Sequence, residues 1–194
     1  TKKGKCYAKV AYNTKDSKYC NEVVVPSEQR DCYTDLARLE RSTDLCDEID
    51  DTDNRGVCYI QIAEDNDDIS ICDVIESDTQ KDNCYSSFAI KNNNVKLCDE
   101  MGDENARNNC VMNIAVALGD INTCYKSTKE YQLNLCVEKI AYKKEDAGLC
   151  EDIGDESAYN RCVKNIAVAT SNKNVCFESS TELAKNSCLE AIIK

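Results

Sequence analysis

The sequence contains no histidine, and this absence excludes several kinds of chemistry. Histidine is the usual general base, a common haem ligand and a frequent partner of cysteine in zinc sites. No two cysteines stand in a C-x-x-C motif, so neither a thioredoxin-type redox site nor a c-type haem attachment is available. We therefore predict no enzymatic activity, no cofactor and no metal site.

The chain also has no long apolar run, and it has fewer basic than acidic residues. Its 24 Lys and Arg residues against 36 Asp and Glu residues give a net charge of −12, which argues against a nucleic-acid surface. The longest apolar stretches, such as residues 114–118, are too short to span a bilayer. Pro26 is the single proline, and the absence of an N-x-S/T sequon means that standard N-glycosylation is not predicted.

What the chain has in abundance is cysteine at a fixed spacing. Fifteen cysteines in 194 residues follow one another at alternating separations of 14 and 12 residues, which is a 26-residue repeat with two cysteines in each unit. This content is typical of disulfide scaffolds, which persist in oxidising surroundings. We therefore predict a secreted or cell-surface protein. The start at Thr1 is as expected after removal of a signal peptide, and an excised fragment would look the same.

One set of cysteines, termed A, indicates a long helix. Apolar residues at offsets 0, 1, 4 and 5 from the cysteine, as in residues 58–63 and 162–167, fall on one side of a helix. N-capping residues stand seven positions before five of the A cysteines, so each helix should have about 13 residues. The A cysteines are Cys6, Cys32, Cys58, Cys84, Cys110, Cys136, Cys162 and Cys188, and the predicted caps are Asp51, Ser77, Asp103, Asp155 and Thr181.

The other set, termed B, indicates a short helix. An N-capping residue stands four positions before every B cysteine, and the residues at offsets −1 and +3 share a helical face. This pattern predicts a helix of about eight residues that must be held by its neighbours. The B cysteines are Cys20, Cys46, Cys72, Cys98, Cys124, Cys150 and Cys176, and their caps are Asp16, Ser42, Asp68, Asn94, Asp120, Asp146 and Asn172.

Together these patterns predict an all-α fold, a disulfide-stapled α-solenoid of 26-residue helix-turn-helix repeats. Residues 1–194 should form a single continuous array of about seven and a half repeats, because no linker or low-complexity tract interrupts them.

The spacing favours disulfides across each B-to-A hairpin. We measure the height of each cysteine along the helix axis from the N-cap of the second helix of its hairpin. The two cysteines of a B-to-A hairpin then differ in height by about 3 Å, and those of an A-to-B hairpin by roughly 9 Å. A disulfide needs its two Cα atoms within about 7 Å. The predicted bridges are Cys20–Cys32, Cys46–Cys58, Cys72–Cys84, Cys98–Cys110, Cys124–Cys136, Cys150–Cys162 and Cys176–Cys188, which leaves Cys6 unpaired or bonded to another subunit.

Three further patterns are interpreted as structural. Residues 51–56 fail as a calcium loop because Arg55 and Ile62 occupy ligand positions, and the acidic residues 64–68 are interpreted as a solvated turn. Basic residues three positions before an A cysteine should lay their stems over apolar surface; they are Arg55, Lys81, Arg107 and Lys185. A tyrosine row gives way to aliphatic residues later in the chain, which favours packing over a binding stripe; it comprises Tyr7, Tyr33, Tyr59 and Tyr85.

The ends of the array lack the polar capping repeats that soluble solenoids carry. The chain is therefore either a segment of a longer array or a subunit whose ends dock head to tail. The residues expected to form the end-to-end interface are Tyr7, Val10, Leu189, Ile192 and Ile193.

The pattern of residues 58–63, Cys-Tyr-x-x-Ile-Ala, and that of residues 68–75, with a cap four positions before a cysteine and an isoleucine three after it, resemble cysteine-rich helical repeats in uncharacterised secreted proteins of archaea. The likeness covers nearly the whole chain and implies no activity. We therefore expect an extracellular structural protein that assembles head to tail into a filament or cell-surface appendage. The alternative is a secreted or surface-anchored module, such as an adhesin or receptor arm, that binds another extracellular protein through the solenoid face.

Overall fold

The computed structural model describes residues 1–193, and every regular element in this part of the chain is helical. The long helices have 12 to 15 residues, close to the predicted length. In chain order the α-helices are α1 (Lys2–Thr14), α2 (Pro26–Glu40), α3 (Thr52–Asn66), α4 (Asp78–Lys91), α5 (Glu104–Leu118), the one-turn α6 (Ile121–Cys124), α7 (Glu130–Lys144), α8 (Glu156–Thr170) and α9 (Glu182–Ile193). Lys194, the last residue of the predicted array, lies outside the described residues.

The short segments around the B cysteines are mostly 3₁₀ helices, so the prediction of an eight-residue second helix is wrong. Their hydrogen bonds join residues three apart, as in Cys20 N to Ser17 O (2.8 Å) and Ile153 N to Cys150 O (2.9 Å). Four of the 3₁₀ helices have six residues and one has three; they are Ser17–Tyr19, Ile69–Val74, Val95–Glu100, Ala147–Asp152 and Lys173–Glu178.

The 3₁₀ geometry also changes which residues face the core. Residues three apart eclipse one another in a 3₁₀ helix, so Cys72 (0% exposed) and Ile75 (3% exposed) are buried together. Ile71, at the offset that an α-helical period would place on the same face, is only half-buried. The predicted face at offsets −1 and +3 is therefore corrected to offsets 0 and +3.

The predicted caps define where the short segments begin. In all seven, the capping side chain accepts from the backbone N–H two residues further on, which closes a tight turn and satisfies a free donor. In the long helices, Asp51 accepts from Asn54 N at 2.8 Å and Asp155 accepts from Ala158 N at 2.7 Å. The seven short-segment caps are Asp16, Ser42, Asp68, Asn94, Asp120, Asp146 and Asn172.

Seven disulfides join each short segment to the long helix that follows it, in the pairing that the spacing predicts. Their Cα–Cα distances are 5.6 to 6.0 Å, within the range for a disulfide, and each closes 12 residues. The bonded cysteines are 0–2% exposed, whereas Cys6 is free and exposed. The fold is therefore a disulfide-stapled helical repeat.

The backbone contacts divide the chain into two compact units. The first comprises Thr1–Lys91 with Glu100–Asp103, and the second comprises Asn92–Asp99 and the chain from Glu104 onward. Buried Tyr33, Leu36 and Ile62 lie in the core of the first unit, and Ile140 and Ile166 lie in the core of the second. A single continuous array across both units stays a prediction.

A left-handed residue ends a long helix once in every repeat, a feature that the sequence analysis did not anticipate. It stands directly before the cap of the short segment, and six of the seven examples are not glycine. Glycine at this position is the usual sequence signal for a helix C-terminus, and six of these helices lack it. The residues are Lys15, Arg41, Asp67, Asn93, Gly119, Glu145 and Ser171, with φ between 49° and 66°.

Two substitutions test these helix ends in opposite directions. Ser171→Gly should raise the free energy of unfolding by about 1 kcal/mol, because glycine adopts this conformation without a Cβ penalty. Gly119→Ala should lower the free energy of unfolding by about 1–2 kcal/mol, and its Cβ would lie 3.1 Å from Cε of Lys144. Urea denaturation of the disulfide-intact protein measures both changes, and shifts of the same sign would contradict the account.

Candidate functional site

The long helices of the first unit hold the preceding short segment through a tyrosine as well as through the disulfide. The tyrosine that follows the A cysteine is buried, and its hydroxyl donates to the residue that follows the B cysteine. The predicted packing role is therefore joined by a hydrogen bond that the sequence analysis missed. The pairs are Tyr33 with Asn21 Oδ1 (2.6 Å), Tyr59 with Asp47 and Tyr85 with Asp73.

A donor three positions before the A cysteine provides a third point of attachment. Arg55 Nε donates to Ile49 O at 3.0 Å, and Lys81 Nζ donates to Asp73 O at 2.9 Å. In α2, where this position is Gln29, its Nε2 donates to Cys20 O at 3.3 Å. The long side chains thus bind backbone carbonyls in or just after the preceding short segment, a role more specific than the predicted cover over apolar surface.

Among residues 1–193, no short segment packs on the corresponding face of α1. Cys6 is exposed, Tyr7 is half-buried, and Lys3 Nζ lies 5.6 Å from the centre of the Tyr7 ring. Val10 is half-buried, although Leu36 at the same repeat position is 1% exposed. The residues that close an interior repeat are therefore present on α1 and uncovered.

The core face of α9 is also open. Leu189 and Ile192 are half-buried, and Ile193 is 74% exposed. In α8, the residues at the positions of Leu189 and Ile192 are Val163 and Ile166, which are 0% and 1% exposed. The five residues predicted for the end-to-end interface thus lie on two uncovered helix faces, Tyr7 and Val10 on α1 and the other three on α9.

The charge of the chain is unevenly distributed along the sequence. Residues 1–18 contain six of its 24 basic residues and one of its 36 acidic residues. The short segments are acidic instead, as around Cys46, where residues 44–51 include five Asp and Glu residues. Residues 1–18, most of which belong to α1, are therefore a basic stretch in a chain that is acidic as a whole.

A groove of about 540 Å³ runs between α1 and α2 and separates opposite charges. Lys5 and Lys9 line it on the α1 side, and Glu28, Asp31 and Asp35 line it on the α2 side. Burial raises the pKa of Asp35, the nearby Arg38 guanidinium opposes that rise, and the Asp31 charge adds to it. The groove therefore has a basic side on α1 and an acidic side on α2.

The residue two positions before the A cysteine makes contacts between successive repeats that the sequence analysis also missed. Asp82, which is 6% exposed, accepts from the backbone N–H groups of Gly102 and Asp103 at 2.7 and 2.9 Å. Asn108 Oδ1 accepts from Thr128 N at 2.9 Å in the same way. The sequence did contain a signal for these contacts, because a polar residue recurs two positions before the A cysteine.

Glycine occupies that repeat position in two helices because neighbouring side chains come close. A Cβ on Gly56 would lie 2.6 Å from Cβ of Gln80, and a Cβ on Gly4 would lie 2.1 Å from Oε2 of Glu28. The Glu28 carboxylate is the end of a flexible side chain and can move away, whereas Cβ of Gln80 is fixed to its helix. Gly56 therefore permits the close packing of α3 and α4.

The acidic residues singled out in the sequence have structural partners. Asp65 Oδ2 accepts from Arg38 Nε at 2.5 Å, Asp67 pairs with Lys91 Nζ at 2.7 Å, and Asp68 caps a short segment. Among residues 1–193, no group of three or more His, Cys, Asp or Glu side chains is arranged to hold a metal ion. No helix in the same range is long and apolar enough to cross a membrane.

These features define the class of the chain as a helical repeat protein with one disulfide for each long helix after α1. The chain matches no protein-family model, no curated protein and no solved structure. The resemblance to secreted archaeal repeats therefore stays a prediction.

The buried tyrosines make alkaline pH a test of the hydrogen bonds in the first unit. Burial, together with the hydrogen bond and charge of the partner aspartate, raises the pKa of Tyr59 and Tyr85 from 10.0 to about 12. Their neutral forms are favoured in the folded state, so their contribution to stability is complete below pH 10 and is lost as the pH rises through about 12. Tyrosinate absorbance after rapid pH jumps should show a late-titrating group.

Replacing both residues with phenylalanine should lower the amplitude of the late titration by two tyrosines, because each substitution keeps the packed ring and loses only the hydroxyl. A smaller late signal should remain from Tyr33, Tyr125 and Tyr159, whose pKa values are also raised, by burial for Tyr33 and Tyr159 and by the hydrogen bond to Asp152 for Tyr125. The free energy of unfolding at neutral pH should fall by about 1 kcal/mol for each hydrogen bond lost. An unchanged late titration in the Tyr59→Phe, Tyr85→Phe variant would contradict the assignment.

Proposed function

We propose that this chain is an extracellular structural protein whose copies associate end to end, the α9 face of one copy packing against the α1 face of the next, to build a filament or surface appendage. The single observation that carries the proposal is the exposure of the same repeat positions on both helices. Positions +1 and +4 from the A cysteine are at most 8% exposed in α2 to α5, α7 and α8, whereas Tyr7, Val10, Leu189 and Ile192 are only half-buried.

The chemistry of the two faces supports a heterologous contact rather than a contact between like faces. On the α1 face, exposed Lys3 lies over the Tyr7 ring and Lys2 precedes it, so two copies of this face would bring like charges together. The α9 face presents Ile193 and its half-buried neighbours without a basic cluster. A contact between unlike faces leaves one face of each kind free, so that association can continue.

The disulfides support the extracellular part of the proposal. Seven buried bridges in one chain suit an oxidising environment, and they persist where no reducing system operates. A rigid repeat that stays folded outside the cell is the property that a structural appendage requires.

Two variants that each damage one face test the assembly. Val10→Asp and Ile192→Asp place a charge in the proposed contact and should each weaken self-association about 100-fold, which is roughly 2.7 kcal/mol. Leu118→Asp is the matched control, since Leu118 is 54% exposed and lies on neither face. Analytical ultracentrifugation over a range of concentrations and negative-stain microscopy measure the result.

Mixing the two damaged variants distinguishes unlike-face from like-face contacts. Each variant keeps one intact face, so an equimolar mixture should form pairs and nothing longer, while each variant alone stays monomeric. Self-association of Val10→Asp alone into dimers would show contacts between α9 faces and would overturn the head-to-tail arrangement. A wild-type protein that is monomeric at every concentration would rule out assembly altogether.

A protein-binding module is the second candidate, favoured by exposed aromatic residues on α7. Tyr131 (62% exposed) and Tyr142 (53% exposed) are 11 residues apart, which places them on one stripe of the helix. Exposed tyrosines are frequent anchors of protein interfaces. If Tyr131→Ala and Tyr142→Ala abolish the association measured by ultracentrifugation while Val10→Asp and Ile192→Asp leave it intact, the tyrosine stripe of α7 is the binding surface. The protein-binding module then replaces the end-to-end assembly as the proposed function.

A further inference from the structure

We infer that the second unit binds a primary ammonium group, as carried by a lysine side chain or an alkyl diamine, in a pocket between the N-terminal halves of α7 and α8. The pocket has a volume of about 420 Å³, and its lining includes Glu130, Tyr131, Asn134, Asp155 and Arg161. It is separate from the faces of α1 and α9, so the inference does not depend on the end-to-end contact.

A buried amide oxygen without a partner marks this pocket as a binding site. In three other long helices, the residue two positions before the A cysteine accepts a hydrogen bond of 2.7 to 2.9 Å from the backbone N–H 20 residues later. Asn134 occupies this position in α7 and is 4% exposed, but its Oδ1 has no hydrogen-bond partner among the described residues. Because an unpaired buried acceptor is costly, a ligand that donates a hydrogen bond to Asn134 is stabilised there. The three bonded pairs are Asp82 with Gly102, Asn108 with Thr128, and Asn160 with Ser180.

Two carboxylates line the same pocket beside the turn that precedes α8. Asp155 caps α8 through Oδ1, which accepts from Ala158 N at 2.7 Å, so its second oxygen is available to a ligand. Glu130 reaches the same turn from α7, because a Cβ on Gly154 would lie 3.4 Å from Oε1 of Glu130. The two negative charges therefore belong to one site.

The cations around these carboxylates are paired elsewhere. Lys129, which precedes Glu130 in the chain, pairs with Glu104 at 3.2 Å. Arg161 lines the pocket, but its Nε and Nη2 donate to the buried carboxylate of Glu138 at 3.0 and 2.8 Å, which neutralises its charge. Within residues 1–193, neither carboxylate of the pocket forms an ion pair, so the site is negative.

These groups match a primary ammonium better than other ligands. An ammonium has three N–H donors and no acceptor, and the pocket offers three acceptors in Glu130, Asp155 and Asn134. Tyr131, which is 62% exposed, adds an aromatic ring, and such rings attract cations. An anion would be repelled by the two carboxylates, and a neutral ligand would leave their charge uncompensated.

Titration of the full chain with Nα-acetyl-lysine N-methylamide, followed by heteronuclear NMR, tests the inference. The dissociation constant should be about 1 mM, and the shifts should centre on the Asn134 side-chain amide and on residues 130–135 and 155–161. The norleucine analogue, which lacks the ammonium, should bind at least about 10-fold more weakly. Cadaverine distinguishes the sources: tighter binding of the lysine derivative assigns the site to a polypeptide partner, and tighter binding of cadaverine assigns it to a free amine.

A pair of charge variants separates the site from general attraction to an acidic chain. Glu130→Gln should weaken binding of the lysine derivative about 10-fold. Glu156→Gln is the matched control, because Glu156 has the same repeat position in α8 and its Oε1 already accepts from Ser180 Oγ at 2.8 Å. This control loses the same charge and should leave binding unchanged.

A pair of asparagine variants separates binding from folding. Asn134→Leu removes an oxygen that has no partner in the fold, so it should weaken binding about 10-fold and leave the urea midpoint unchanged. Asn160→Leu loses two hydrogen bonds to Ser180, of 2.9 and 2.7 Å, so it should lower the urea midpoint and keep binding.

Three results would each overturn the inference. The first is equal binding of the lysine and norleucine derivatives, or no shift at these residues at any concentration of either amine. The second is an equal effect of Glu130→Gln and Glu156→Gln, which would mean that the amine follows the overall charge of the chain. The third is unchanged affinity in Asn134→Leu, which would mean that the buried oxygen takes no part in binding.

Discussion

The disulfide between a short segment and the long helix after it is the constraint on which the rest of this structure depends. A 3₁₀ helix of six residues has too few hydrogen bonds to persist alone, and 3₁₀ runs are rarely longer. Each bridge closes 12 residues and contributes about 3 kcal/mol on the chain-entropy estimate. Its two sulfurs are fully buried, so the bridge also takes the place of the apolar side chains that such a small repeat lacks.

Polar contacts at fixed repeat positions add to the disulfides. Caps such as Asp68 define where a short segment begins, hydroxyls such as that of Tyr59 bind its far side, and carboxylates such as that of Asp82 bind the turn before the next long helix. Because every repeat reuses the same positions, a residue without its usual partner stands out. Cys6 on α1 is the clearest case, and the open faces of α1 and α9 are its packing counterparts.

The cysteine spacing and the residues around it were enough to predict the helical class, the disulfide pairing and the caps of all seven short segments. The spacing was informative because the number of residues between a cysteine and the N-cap gives the height of that cysteine along the helix axis. The eight-residue second helix was predicted wrongly because the period of its apolar residues, such as Ile71 and Ile75, fits an α-helix, whereas the backbone follows the cap and the bridge at Cys72. The left-handed helix ends could not be predicted because residues such as Ser171 and Glu145 stand where glycine is usual.

The central claim is that each bridge spans 12 residues and that Cys6 remains outside this pattern. Peptide mapping of the non-reduced native protein by mass spectrometry tests the claim most directly. The account predicts seven linked peptides, each joining a B cysteine to the A cysteine 12 residues later, and Cys6 either as a thiol or bonded to another molecule. Bridges that span 14 residues, such as Cys6 to Cys20 and Cys32 to Cys46, would contradict it.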